Sequence, residues 1–273
     1  MLTKAKTLTG YKLRCLDGEI GDVKEFVFDE KEWTIRYLTV ETGTWLIDRE
    51  VLISTAAITA LDKEEKYIAV NLTRQQIEDS PLLYKANPIS RQFETSYHNY
   101  YGYTPYWNIW NTPPVSQPTS APIWAPNPNN LMVDSSAYKA ATQGDRDLDP
   151  GLRSTGNVRG RKLQALDGEI GHIADFILDH EDWVIRYLDI DTISWWPSKH
   201  VLICPGWIDS IGWEDFLVHV GLTREQIKSS PEYNKDSDLE RDYEQCLFDH
   251  YERRGYWDDS TTGDTNNDPE KKE

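Results

Sequence analysis

The sequence is poor in sulfur and in positive charge. Its 273 residues hold only 3 cysteines and 2 methionines, and 29 lysines and arginines stand against 46 aspartates and glutamates, a formal net charge of −17. Cys15, Cys204 and Cys246 form no close pair, and their odd number argues against a disulfide framework. No run of ~18 consecutive apolar residues could span a bilayer, and MLTKAKTLTGYKL at the N-terminus has no apolar stretch behind its lysines. The expectation is a soluble, cytoplasmic protein without membrane insertion. The acidic excess lies toward the C-terminus; a negative surface repels phosphate backbones and anionic headgroups, which disfavours nucleic acid as a partner. Nucleophile elbow, phosphate loop and dinucleotide fingerprint are all missing, so no enzyme activity and no cofactor are expected.

What the sequence does contain is a duplication. Leu16-Asp17-Gly18-Glu19-Ile20-Gly21 returns at Leu166 to Gly171. A shift of 150 positions aligns Gly10 to Pro81 with Gly160 to Pro231 without a gap, at about 30 identities. Two domains are expected, 8–107 and 158–257, separated by a Pro/Asn/Ser-rich linker at 108–157 and followed by a polar tail at 258–273. Trp110 and Trp124 could anchor parts of the linker.

Each copy reads as short β-branched and aromatic runs between turn residues, the pattern of a mainly β fold. Lys12 to Leu16 and Gly21 to Phe28 form a hairpin around Asp17-Gly18-Glu19. Gly18 supplies a positive φ there, and Gly21 allows a bend or a close backbone approach. The apolar phase changes after Tyr37, and again after Tyr187, which fits a β-bulge; burial on both faces is the competing reading. About six mostly antiparallel strands per copy, each with two edges to manage, suggest closure into a small barrel. A short helix follows, with Thr73 as N-cap, Gln76 at the third helical position and Pro81 ending it; its counterpart starts at Thr223. Beyond it Phe93, Tyr97, Tyr100 and Tyr101 lie at helical spacing, as do Tyr243, Leu247 and Tyr251. An amphipathic arm thus follows each barrel and ends in Tyr106-Trp107 or Tyr256-Trp257.

A hairpin with a GEIG-like turn, a W-x-I-R-Y-L strand, a V-L-I strand and an LTREQI-x-x-SP helix, in that order and in duplicate, resemble the PRC-barrel family. The resemblance covers residues 8 to 81 and 158 to 231. It implies a small β-barrel used for docking or assembly in larger complexes, with no general catalytic activity. Reaction-centre H subunits of that family carry an N-terminal membrane helix that has no counterpart in this sequence, and the family's ribosome maturation factor has a different N-terminal domain.

The carboxylates Asp17, Glu19, Asp167 and Glu169 could hold a divalent cation or run acid/base chemistry; the plainer reading is a solvated turn. His98, His172, His180, His200, His219 and His250 lack metal-ligand spacing, so no metal is expected. Ser80-Pro81 and Ser230-Pro231 read as helix stops. Candidate structural or interaction residues are Trp33, Arg36, Tyr37, Trp183, Arg186, Tyr187, Tyr106, Trp107, Tyr256 and Trp257. Arg36 and Arg186 fit either a buried ion pair with a barrel carboxylate or a partner contact. The arms either cover their own barrel or exchange onto another. The functional expectation is a docking protein with protein partners or self-association, as an internal pseudo-dimer or homo-oligomer. The alternatives are a small-molecule or metal-responsive barrel acting in stress and, by family resemblance alone, a reaction-centre H-subunit-like role in photosynthetic electron and proton transfer.

Overall fold

A computed structural model describes residues 1–43, 45–46, 49–84, 89–108, 151–192, 199–212 and 216–258. Trp110, Trp124, most of the expected linker and nearly all of the polar tail lie outside these residues.

The described strands and helices, in chain order, are β1 (Leu2–Lys4), α1 (Ala5–Leu8), β2 (Lys12–Cys15), β3 (Gly18–Asp29), β4 (Thr34–Glu41), β5 (Arg49–Ser54), β6 (Ile58–Asp62), β7 (Tyr67–Val70), α2 (Arg74–Glu78), β8 (Leu83–Tyr84) and α3 (Arg91–Tyr101). After residue 150 come β9 (Leu152–Ser154), α4 (Thr155–Val158), β10 (Lys162–Ala165), β11 (Gly168–Asp179), β12 (Val184–Asp191), β13 (His200–Ile203), β14 (Ile208–Ile211), β15 (Leu217–Val220), α5 (Arg224–Lys228) and α6 (Arg241–His250). The chain forms two compact units. One consists of Ala5–Asn157 with Asp182–Val184, the other of Met1–Lys4, Val158–Glu181 and Ile185–Glu273.

In the first of these the ladders run β5-β4-β3-β2-β7-β6, and in the second β13-β12-β11-β10-β15-β14. The pairing is mostly antiparallel, as expected, with one parallel pair in each unit: β2 runs parallel to β7, and β10 parallel to β15. The sheets are therefore mixed, and among the described residues the ladder path is open between β5 and β6, which a 3₁₀ turn at Thr55–Ala57 connects. The core of the first unit includes Leu13, Phe26, Phe28, Ile35, Leu38 and Ile53, and that of the second Leu163, Phe176, Leu178, Leu188, Val201 and Ile203, all fully buried.

The first hairpin is tighter than the sequence suggests. Cys15 pairs with Gly18, so the loop is Leu16-Asp17 alone, and Gly18, directly after it, stands at φ +137°, a conformation that side chains rarely adopt. Gly21 is required by proximity: a Cβ there would stand 2.1 Å from the Glu41 carbonyl oxygen, and at Gly171 2.0 Å from that of Asp191. The bulge lies one residue earlier than the phase change. Val27 pairs with Tyr37 and Phe28 with Ile35, leaving Arg36 as the extra residue. Tyr37, Leu38, Thr39 and Val40 are then buried in succession, so the strand is also covered on both faces.

The short helices form as the spacing anticipates. In α2 the Thr73 hydroxyl accepts from Gln76 N while Gln76 Oε1 accepts from Thr73 N, and Thr223 and Gln226 repeat this box in α5. Asp17 Oδ1 accepts a 2.8 Å bond from Arg74 N, and Asp167 Oδ1 one of 2.7 Å from Arg224 N. The hairpin carboxylates thus satisfy a helix N–H that has no partner inside the helix.

Besides the two-residue β8, two strands had no signal in the sequence. β1 pairs with β11, and β9 pairs with β3. Residues 152–157 of the expected linker are accordingly strand β9 and most of helix α4, which runs on to Val158. Three residues are too few to show any periodicity.

Candidate functional site

The Trp-x-Ile-Arg-Tyr strand and the arm helix meet in one polar cluster per unit. Local backbone sets up the first. Asp29 Oδ1 accepts from the N–H groups of Lys31 and Glu32 at 2.9 and 3.4 Å, folding the turn before β4. Trp33 leaves that turn at φ +53°, a region that bulky residues seldom occupy, with its ring stacked on Phe28 at 5.1 Å. Trp183 adopts the same conformation at φ +56°; its ring stacks on Phe26 at 6.3 Å and its carbonyl accepts from Ile35 N at 2.7 Å.

Arg36, the bulge residue, bonds Glu32 at 2.6 Å and approaches Asp29 at 3.5 Å. Its guanidinium also lies 3.9 Å from the centre of the Tyr106 ring, and the side chain is 14% exposed. Arg186 approaches Asp179 at 3.5 Å and lies 4.3 Å from the Tyr256 ring centre. Both arginines make the ion pair of the structural reading, and both add an arm contact, a cation over a ring face.

Bulging at Arg36 turns Tyr37 inward. Its hydroxyl donates to Glu94 Oε1 at 2.9 Å, and the Tyr106 hydroxyl donates to the same oxygen at 2.8 Å. Arg91 holds the other oxygen, Oε2, at 2.7 Å and sits 4.2 Å from the Trp107 ring centre. Glu94 is fully buried; burial pushes its carboxyl up from the usual range, against the pull of Arg91. Burial likewise lifts the Tyr37 hydroxyl well above its ordinary value.

The second cluster repeats the geometry. Tyr187 and Tyr256 donate to Glu244 Oε1 at 2.7 and 2.9 Å, Arg241 holds Oε2 at 3.0 Å, and Arg241 lies 4.2 Å from the Trp257 ring centre. Eight of the ten candidate residues, Arg36, Tyr37, Tyr106, Trp107, Arg186, Tyr187, Tyr256 and Trp257, therefore fall in these clusters, while Trp33 and Trp183 stack on Phe28 and Phe26; each arm lies on the sheet of its own unit. Glu94 and Glu244, the acceptors at the centre, were not among them, although each sits on the apolar stripe of its helix next to residues the repeat retains.

One position differs. His98 Nε2 lies 2.9 Å from the Tyr37 hydroxyl, whereas Phe248 occupies the matching place and packs on Tyr187 with centroids 6.3 Å apart. Because Tyr37 donates to Glu94, we assign the His98 proton to Nε2. Burial drops the imidazole to about 4, so it is neutral at pH 7. The Tyr97 hydroxyl donates to Leu52 O at 3.0 Å and accepts from Ser54 N at 3.1 Å, capping backbone groups of β5.

Beside the first cluster lies an open cavity of about 1150 Å³ whose lining includes Arg36, Asn71, His98, Tyr103, Tyr106 and Trp183. Arg36 Nε and Tyr103 Oη, both buried at its wall, have no hydrogen-bond partner among the described residues. The paired turn carboxylates form no comparable site: Asp17 and Asp167 serve the helices, Glu19 bonds Arg14 at 3.1 Å and Glu169 bonds Lys162 at 2.9 Å. Among the described residues no group of three His, Cys, Asp or Glu is placed to hold a metal ion, and no helix is long and apolar enough to cross a membrane. Burial pushes the Cys15 thiol to about 11, away from the reactive thiolate form.

No curated protein matches this chain. Residues 8–77, which span β2 through most of α2, match the family model described as the PRC-barrel domain.

Proposed function

We propose that this protein is a non-enzymatic docking module made of two tandem PRC-type barrels, each with an arm that covers its own barrel. The observation that carries the reading is the use made of the reactive side chains. In each unit the tyrosines, the carboxylate and the arginines of the cluster bond one another and clamp the arm to the sheet. A buried network whose central carboxylate has both oxygens engaged by its neighbours gives rigidity, which suits a scaffold. The PRC-barrel match over residues 8–77 supports the same assignment for the first barrel, and the strand order of the second unit, equal to that of the first, supports the tandem arrangement. Exposed leucines at equivalent hairpin tips, Leu16 at 71% and Leu166 at 70% exposure, offer apolar contact points for a protein partner.

The test is affinity isolation from the native cell with the wild type and with a Leu16→Asp/Leu166→Asp variant. A protein recovered by the first and lost by the second supports docking through the tips. Failure of the wild type to recover any protein above background overturns the reading.

A second reading, a small-molecule-responsive barrel, has one observation in its favour: the cavity beside His98, with Arg36 Nε and Tyr103 Oη unsatisfied at its wall. A thermal-shift screen against polar metabolites tests it, and a flat screen removes its support.

A further inference from the structure

We propose that reciprocal exchange of the strands β1 and β9 holds the two halves of this chain together, and that the covalent connection through residues 109–150 is not needed for it. The inference does not depend on the docking reading.

The two exchanges obey one rule. Leu2, Thr3 and Lys4 pair with Asp179, Leu178 and Ile177. Leu152, Arg153 and Ser154 pair with Asp29, Phe28 and Val27. Adding 150 to each strand residue of the first set, and subtracting 150 from each partner, gives the second. One strand type therefore docks on one receptor edge in both units, and each time it comes from the other half of the chain. This is strand addition with a specified donor.

Side chains fix both strands. Arg153 grips Glu30 with two 3.0 Å bonds, Ser154 Oγ donates to Glu25 Oε2 at 2.8 Å, and buried Thr155 takes the N–H of Phe26 at 3.2 Å. Gly156 N adds a 3.2 Å bond to Glu25 Oε2. On the other receptor, the Lys4 ammonium bonds the Lys235 carbonyl and lies 5.4 Å from the Tyr233 ring centre. Ala5 and Leu8, directly after β1, are fully buried in the first unit, so core packing anchors the chain immediately beyond the strand.

The ladder shows which amides matter. Met1 O accepts from His180 N at 3.4 Å, and Gly151 O accepts from Glu30 N at 2.9 Å. Hydrogen-bonded pairs alternate along an antiparallel ladder, so the next such pairs are Thr3 with Leu178 and Arg153 with Phe28. The N–H groups of Thr3 and Arg153 thus point at their receptors, and proline at either position removes a bond.

The experiment uses the full chain with a protease recognition sequence inserted between residues 128 and 129. After cleavage, native mass spectrometry and light scattering should find one particle with the mass of the uncut chain. A Thr3→Pro/Arg153→Pro variant, cleaved in the same way, should associate about tenfold or more weakly. Hydrogen exchange on the uncut wild type keeps the test decisive if that variant does not fold: the amides of Thr3 and Arg153 should be protected like those of β3 and β11. Separation of the wild-type halves on cleavage, undiminished association of the variant, or fast exchange at the two amides would each overturn the proposal. A particle of twice the mass would assign the strands to a second copy and overturn the single-chain form.

Discussion

The Tyr37 hydroxyl reaches Glu94 Oε1 at 2.9 Å across 57 residues of sequence, and Tyr187 reaches Glu244 at 2.7 Å across the same 57. The pairing ties a strand of the sheet to the first turn of an arm helix. Glu94 accepts two hydroxyls and an arginine while fully buried, so its removal leaves three donors without their acceptor. We expect Glu94→Ala to cost about 2–4 kcal/mol of stability, and Glu94→Gln less, since the amide oxygen still accepts. Urea unfolding measures both, and a midpoint equal to wild type would refute the clamp.

Arg36→Met keeps much of the side-chain volume but removes the bonds to Glu32 and Asp29 and the charge over Tyr106. A loss of about 2 kcal/mol is expected, because Asp29 stays buried without its cation. Thermal unfolding decides: an unchanged Tm would mean that Arg36 serves only to meet a partner.

His98 gives a pH signature. Its pKa is lowered from 6.5 to about 4 by burial, so between those values the unfolded chain takes up a proton that the folded protein refuses. Stability from this group is present above pH 6.5 and is lost as pH falls toward 4, by about 3 kcal/mol in all. Raised Glu94 works in the opposite sense, favouring the folded state as it protonates. The informative measurement is therefore the difference between wild type and His98→Phe, which places in the first arm the residue found at 248. The variant should lose the acid-side decline assigned to the imidazole; parallel pH profiles would contradict the assignment.

Gly21→Ala and Gly171→Ala push a methyl to within 2.1 and 2.0 Å of backbone oxygens, a clash that only movement of the neighbouring strand relieves. Each should cost about 3 kcal/mol. Gly10→Ala, which meets open space at φ +84°, should cost about 1–2 kcal/mol from conformation alone. Equal midpoints for the three would remove the close-approach argument.

Cys246 is exposed, while burial raises the thiols of Cys15 and Cys204. Iodoacetamide at neutral pH should label Cys246 first, with peptide mass spectrometry as the readout. Prior labelling of Cys15 would mean that its surroundings are more open than described.

Much of the fold was legible because it rests on local chemistry. Thr73 with Gln76 is a capping box in any context, and Gly18 beside Asp17 marks a tight loop. What escaped depends on chain path. Alternation along Lys12–Cys15 shows a strand but not that Tyr67–Val70 runs parallel to it. The centre of the site was missed for a different reason. A glutamate is by residue type assigned to the wet face of an amphipathic helix, and although Glu94 lies on the apolar stripe, its role as acceptor shows only with Tyr37, 57 residues upstream.

The crossing of β1 and β9 has a consequence for inheritance. Each unit contains a strand encoded at the start of the other half, so neither half of the gene specifies a complete unit. Replacing one half by recombination would also replace the strand that finishes its neighbour. Substitutions at Leu2–Lys4 are thus answerable to Ile177–Asp179, and those at Leu152–Ser154 to Val27–Asp29, which couples the drift of the two repeats across the length of the chain.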